Sequence, residues 1–157
     1  MLKKLQIIFK ILIVSFLLNS TAKADLVKPE SNIEPAEVIK IQLIGLQKND
    51  FDYKDSGIEQ TWNFAHPNNK KNTGPLPNFK MMIKGNSYQM LLNHLSHTIT
   101  QVKSSDKWAQ FEVIIVGKER IDHKFNWQVE KYTKEGPLKD CWLTTMVSNP
   151  IPLGSSI

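Results

Sequence analysis

The spacing of apolar residues changes partway along the chain. Across residues 35–46 they fall on two neighbouring stripes, Val38, Ile41 and Gly45 on one and Ile39, Leu43 and Leu46 on the next. That spacing predicts a helix with a wide buried face. Pro35 suits its first turn, where a missing N–H is no loss, and Glu34 and Glu37 sit at its positive end. A shorter helix is predicted in DSGIEQTWNFA, with Ile58, Trp62 and Ala65 on one face. Asp55 or Ser56 would cap it, and Glu59 would complete a capping box. A third is predicted across LPNFKMMIK, with Leu76, Phe79, Met82 and Ile83 facing inward and Gly85 ending it. SYQMLL adds one more turn. Beyond it the period drops to two, as strands require. HLSHTITQVK is the predicted first strand. AQFEVIIVG places Phe111, Val113 and Ile115 on one face. HKFNWQVEKY alternates Phe125, Trp127 and Val129 with Lys124, Asn126, Gln128 and Glu130, a strand with one wet face. CWLTTMVS alternates Cys141, Leu143, Thr145 and Val147 with Trp142, Thr144 and Met146. SSD, KERID and KEGPLKD read as turns.

Helices followed by an antiparallel meander predict an α+β domain, N-terminal helices packed on a curved antiparallel sheet of about four strands. One sheet face closes over the helices, and the other meets water or a partner. The domain is expected over residues 34–149, after a short polar arm, 25–33, and before a tail, 150–157. Residues 1–24 have the three-part layout of a secretory signal: Lys3 and Lys4, an apolar run over residues 11–18 broken by Ser15, then Thr21-Ala22-Lys23-Ala24. Cleavage is expected after Ala24. Lys10 keeps the run short of the roughly 20 apolar residues of a membrane span. The expectation is export, to the periplasm or the extracellular space if the source is bacterial, with no stable membrane anchor after cleavage.

Charge and cysteine content narrow the function classes. Taking the four lysines of the leader from the chain's 20 basic residues leaves 16, against 15 acids. The mature chain is nearly neutral, and Arg120 is its one arginine. This argues against nucleic-acid binding, which relies on many cationic contacts to phosphate. Cys141 is the sole cysteine, so no internal disulfide forms.

The densest cluster of candidate site residues is FAHPNNKKNTGP, residues 64–75. Pro67 disfavours helical geometry at His66, so the second helix is expected to end there. Asn68 and Asn69 suit a left-handed turn, and Gly74-Pro75 turns the chain again. The favoured expectation is a capped loop. The binding alternative gathers Lys70 and Lys71 with amides of the next helix around an anion, with His66, Asn68 and Asn69 as further contacts. The Gly-rich spacing of a phosphate loop is missing. His94 and His97 would share a metal if helical, but on the predicted strand they point to opposite faces. Zinc needs three or four ligands, so neither metal nor cofactor is expected. His97 shares parity with Leu95 and Ile99 and faces inward. It is a general-base candidate if a carboxylate or tyrosine approaches, and otherwise a hydrogen-bonded core histidine. Cys141 reads as an inert small apolar residue; as a nucleophile it would need a nearby cation or helix start. No G-x-S-x-G elbow is present. Trp142, of opposite parity to Leu143, is expected on an open sheet face, where it would serve a protein partner.

Taken together, EPAEVIKIQLIGLQKNDF, GIEQTWNFAHPNNKKNTGPLPNFKMM, YQMLLNH and CWLTTMVS resemble an uncharacterised family, domain of unknown function 4864. That family looks like a member of the nuclear-transport-factor-two-like superfamily. The resemblance implies helices packed into a cone-like antiparallel sheet, with a pocket between them. It implies no activity, since the family has none established. The superfamily includes ketosteroid isomerase and dehydratases, but also non-catalytic binders and dimerisation modules, and fold alone does not choose among them. The isomerase-type Asp and Tyr arrangement has no assignable counterpart here. The resulting expectation is an exported, non-catalytic binding or accessory module. It would hold a small molecule in the cone or pair with a second copy through the sheet. The alternative is a pocket enzyme of isomerase, lyase or hydrolase type, with His97 as base.

Overall fold

The two apolar stripes form helix α1 (Pro35–Gln47), which buries Val38, Ile39, Leu43 and Leu46. The structure, a computed structural model, describes residues 25–155. The leader expected over residues 1–24 lies outside them. Helix α2 (Ser56–Asn63), helix α3 (Pro67–Thr73), helix α4 (Leu76–Lys84) and a 3-10 turn (Gln89–Leu91) follow. Strands β1 (Ser96–Ser104), β2 (Trp108–Val116), β3 (Ile121–Lys131), β4 (Trp142–Val147) and β5 (Ile151–Ser155) complete the α+β fold. Among the described residues no helix is long and apolar enough to cross a membrane.

The asparagine–lysine segment departs from expectation. It is helix α3, not a loop. Pro67 occupies the first turn, where its fixed φ favours a helix and its missing N–H is no loss. The residue before proline avoids helical geometry, and His66 does so at φ −58°, ψ 144°. It therefore caps α3 instead of closing α2, which ends earlier, at Asn63. Asn68 and Asn69 are helical. The described non-glycine residues with positive φ are Asp55, Asn93, Arg120 and Asp140. The expected capping box of α2 is also absent. Asp55 is left-handed and bonds Lys84 Nζ at 2.7 Å, while Glu59 takes Lys80 Nζ at 2.8 Å and the Tyr53 hydroxyl at 2.7 Å.

The sheet is antiparallel in the order β1-β2-β3-β4, and β5 also pairs with β3. β4 covers Trp127 to Lys131 of β3, while β5 covers Ile121 to Lys124. The stretch expected as a tail is thus a strand. β4 is too short to satisfy the first half of β3, and open backbone groups there accept another strand. Pro152 is tolerated because β5 lies at an edge. Among the described residues the two outer edges do not pair, so these strands close no barrel.

Ala109, Phe111, Val113 and Ile115 of β2 and Phe125, Trp127 and Val129 of β3 form the buried sheet face. They meet the α1 stripe, Ile58 of α2, and Phe79 and Ile83 of α4 in one core. Each of these side chains larger than alanine contributes about 1.5–3 kcal/mol by leaving water. Trp142 joins this core instead of an open face. The register shifts between Gln128 and Val129, and residues 141–144 are buried in succession, so parity does not survive at the start of β4. Helices α1 and α2 cross backbone to backbone. A Cβ on Gly57 would overlap the Gly45 carbonyl.

Candidate functional site

A cavity of about 100 Å³ lies between the helices and the sheet. Its inner wall combines Leu46, Phe79, Ile83, Leu91 and Trp127 with Gln42, Thr61 and Thr144. Asn69 and Thr73 of α3, Met82, Tyr88 and Val147 form a half-exposed rim.

The polar side chains of the inner wall form a cross-brace. Gln42 projects from the apolar face of α1, and its amide donates to the Thr61 carbonyl on α2 at 3.0 Å. The Thr144 hydroxyl of β4 donates to Gln42 Oε1 at 2.7 Å and accepts from Trp127 Nε1 of β3 at 3.2 Å. The Thr61 hydroxyl donates back to the Gly57 carbonyl at 2.9 Å. Thr144 also locks its backbone to the end of α2. Its N–H donates to the Phe64 carbonyl at 2.8 Å, and its carbonyl accepts from the His66 N–H at 2.8 Å. One side chain on each of α1, β3 and β4, with the backbone of α2, is thereby joined in a site where Gln42 and Trp127 are 1 % exposed. In that low-dielectric setting an unmade hydrogen bond costs more than a made one gains.

The electrostatics of the cavity are plain. Among the described residues no carboxylate, lysine or histidine lines it, and Tyr88 is its one ionisable side chain. Burial raises the Tyr88 pKa, so its hydroxyl stays protonated, and it donates to the Val147 carbonyl at 3.4 Å. General acid–base chemistry needs a group that exchanges a proton near the working pH, and this lining offers none. What it offers is apolar contact and hydrogen bonding.

Most of the residues singled out in sequence lie elsewhere. His66, Asn68, Asn69, Lys70 and Lys71 all belong to α3 or its cap, and of these Asn69 alone lines the cavity. The Asn68 N–H donates to His66 Nδ1 at 3.1 Å, and the ring stands edge-on to Tyr132, with centroids 5.4 Å apart. Burial, aided by Lys134 and opposed by Glu130, holds the His66 pKa below its ordinary value. Lys70 lies over Trp62, 5.3 Å from the ring centroid, whereas Lys71 is exposed. Consecutive helix positions point about 100° apart, so the two lysines diverge.

His94 and His97, expected on opposite faces of a strand, are joined by a 2.7 Å bond between Nε2 and Nδ1. The strand begins only at Ser96, and Asn93, at φ 53°, turns the chain just before it. His94 is the deeper of the two, at 3 % exposed. Its Nδ1 lies 2.8 Å from the Leu91 carbonyl, which can only accept, so Nδ1 carries the proton. For the neutral pair, Nε2 of His94 then accepts from Nδ1–H of His97, leaving Nε2 of His97 as the free lone pair. Burial lowers both pKa values; for His94 the neighbouring imidazole lowers it further and the Leu91 bond opposes. His97 does not line the helix–sheet cavity. Its ring bonds no carboxylate or tyrosine among the described residues. No cluster of three or more metal-ligating side chains occurs among those residues. Cys141 is 2 % exposed, and burial, Asp140 and Glu30 raise its pKa, which suits an inert thiol.

Sequence reasoning passed over Gln42, Thr61 and Thr144. The available signal was Gln42 itself, a polar residue set between Ile39, Leu43 and Leu46 on a face that must be buried. No family model matches this chain, and no curated protein or solved structure matches it.

Proposed function

We propose that the protein is an exported binding module that holds a small uncharged molecule between its helices and sheet without transforming it. The observation that carries this reading is the cavity lining, with buried hydrogen-bonding side chains on an apolar wall and, among the described residues, no ionisable group except a protonated tyrosine. Ligand sites combine an apolar surface with a few placed polar groups. The volume limits the occupant. An engineered apolar cavity of about 150 Å³ takes benzene, so about 100 Å³ encloses about four heavy atoms, and a slightly larger molecule extends past the half-exposed rim. Kinship with domain of unknown function 4864 and the nuclear-transport-factor-two-like proteins belongs to the same proposal. It is supported by the sequence segments that carry the resemblance and by helices stacked on an antiparallel sheet. Export rests on the layout of residues 1–24.

Pairing through the sheet is the weaker form of the partner hypothesis. Trp142 is buried, and the outer face carries Lys124 and Glu112, 3.3 Å apart, among half-exposed Gln110, Asn126 and Gln128. The enzyme reading keeps one favourable observation, the free Nε2 that His94 imposes on His97. It requires His97→Ala to abolish a turnover while leaving the fold intact.

The test is a thermal-shift and calorimetric screen of residues 25–157 against small neutral amides, alcohols and ketones, with light scattering for the oligomeric state. The expected result is stabilisation by several of them, lost in Ile83→Phe, which fills the cavity. A protein that none of them stabilises, at any concentration up to solubility, would overturn the proposal.

A further inference from the structure

Resting on that reading, we propose that Gln42 selects the occupant of the cavity, and that the occupant is a small primary carboxamide with an apolar body. A glutamine amide carries two N–H donors and two carbonyl lone pairs. Neighbours leave it no choice of orientation. The Trp127 indole N–H can only donate, so it takes a lone pair of the Thr144 hydroxyl at 3.2 Å. The Thr144 proton is then directed at the remaining neighbour, Gln42 Oε1, at 2.7 Å. The Thr61 carbonyl can only accept, so it faces Gln42 Nε2 at 3.0 Å. One N–H and one lone pair of Gln42 remain without a partner among the described residues, on a side chain that is 1 % exposed and lines the cavity.

The spare donor and spare acceptor of this buried amide match those of another amide, whose carbonyl and N–H can satisfy both. A ketone satisfies the donor alone. A carboxylate carries a charge that the lining does not balance, and burying it is costly. The apolar wall of Leu46, Phe79, Ile83 and Leu91 then sets the body of the ligand. Sites built to hydrogen-bond a polar group reject analogues lacking it, because their own buried groups are left unpaired.

Isobutyramide, methyl isopropyl ketone and isobutyrate have the same skeleton and differ only at this edge, which makes them the probes. Calorimetric titration of residues 25–157 is expected to show isobutyramide binding at least about tenfold tighter than the ketone, with isobutyrate weaker than both. Gln42→Met removes the amide edge at similar volume, and in that variant the ketone is expected to bind at least as well as the amide. If Gln42→Met does not fold, the wild-type ratio decides alone. Equal binding of amide and ketone to the wild type, or a preference for the amide that survives in Gln42→Met, overturns the inference but leaves the binding function standing. Binding of neither probe, nor of any compound in the wider screen, overturns both.

Discussion

The inner wall and the rim of the cavity use the same side-chain chemistry in opposite surroundings. At the inner wall, Gln42 and Thr144 bridge α1, α2, β3 and β4 and are almost wholly buried. At the rim, Asn69 and Thr73 sit on α3, a helix with no buried residue. Asn69 reaches the Thr144 carbonyl only at 3.4 Å, and the Thr73 hydroxyl turns back to the Asn69 carbonyl at 2.9 Å. An amide and a threonine thus brace the fold in one place and merely edge it in the other. The difference is solvent. Water replaces a lost partner at the rim, but not behind Trp127, where the desolvation penalty stands in full.

The largest expected effects come from removing what the inner brace is built on. Trp127→Ala should cost about 3–5 kcal/mol, read as a shift in urea midpoint, because it deletes a buried ring and takes from the Thr144 hydroxyl the donor it accepts from. A smaller loss would mean the wall collapses into the space and the cavity is not rigid. Gly57→Ala should cost about 3 kcal/mol. The added carbon meets the Gly45 carbonyl, so α1 and α2 must separate, and Gln42 with them from Thr61. Unchanged stability there would show that the helices slide freely. Thr144→Val keeps the shape but leaves Gln42 Oε1 and Trp127 Nε1 unpaired, at about 1–3 kcal/mol.

Intermediate effects come from the histidines. Folding depresses the pKa of His66, His94 and His97. The unfolded chain binds protons on these rings below about pH 6.5, while the folded protein binds them only at lower pH. Their contribution is therefore complete above that pH and declines as the pH falls through the window between the two values. Urea titrations at pH 7.5 and 5.5 should show the loss as a lower midpoint at pH 5.5. His94→Gln should reduce it, and an unchanged pH slope in that variant would show that the pair does not titrate as described. The smallest effect belongs to the rim. Asn69→Ala should change stability by less than about 0.5 kcal/mol. A loss comparable to that of Thr144→Val would erase the distinction between wall and rim.

Much of this arrangement could be read along the chain. The alternation of β2 and β3 names buried residues correctly, and the stripes of α1 do so for Val38, Ile39, Leu43 and Leu46 but not for Ile41 and Gly45, which are half-buried, because a period of 3.6 or 2 maps onto one face whose margins stay partly wet. Reading failed where geometry depended on something distant. α3 was mistaken for a loop because Pro67 disfavours helix at His66 and equally favours helix after itself, and the sequence does not say which side prevails. β5 was missed because its reason to form is the unpaired half of β3, some 30 residues earlier. Counting by alternation puts Trp142 outside because β4 itself bulges at Thr145, where one step on β3 matches two on β4 and the inward parity switches. His94 met His97 because Asn93 turns left-handed, a choice that propensity permits but does not require.

By itself the sequence determined the α+β class, most of the apolar residues that the helices and central strands bury, and the near-neutral charge once residues 1–24 are set aside. Those follow from local period and composition, which each segment carries alone. Only the tertiary structure decided that Gln42, Thr61, Trp127 and Thr144 meet. The Gln42–Thr144 bond spans 102 positions of chain, and no local pattern encodes such a contact. It exists because four elements pack on one core, and buried polar groups, once there, must find one another or pay the full cost of leaving water.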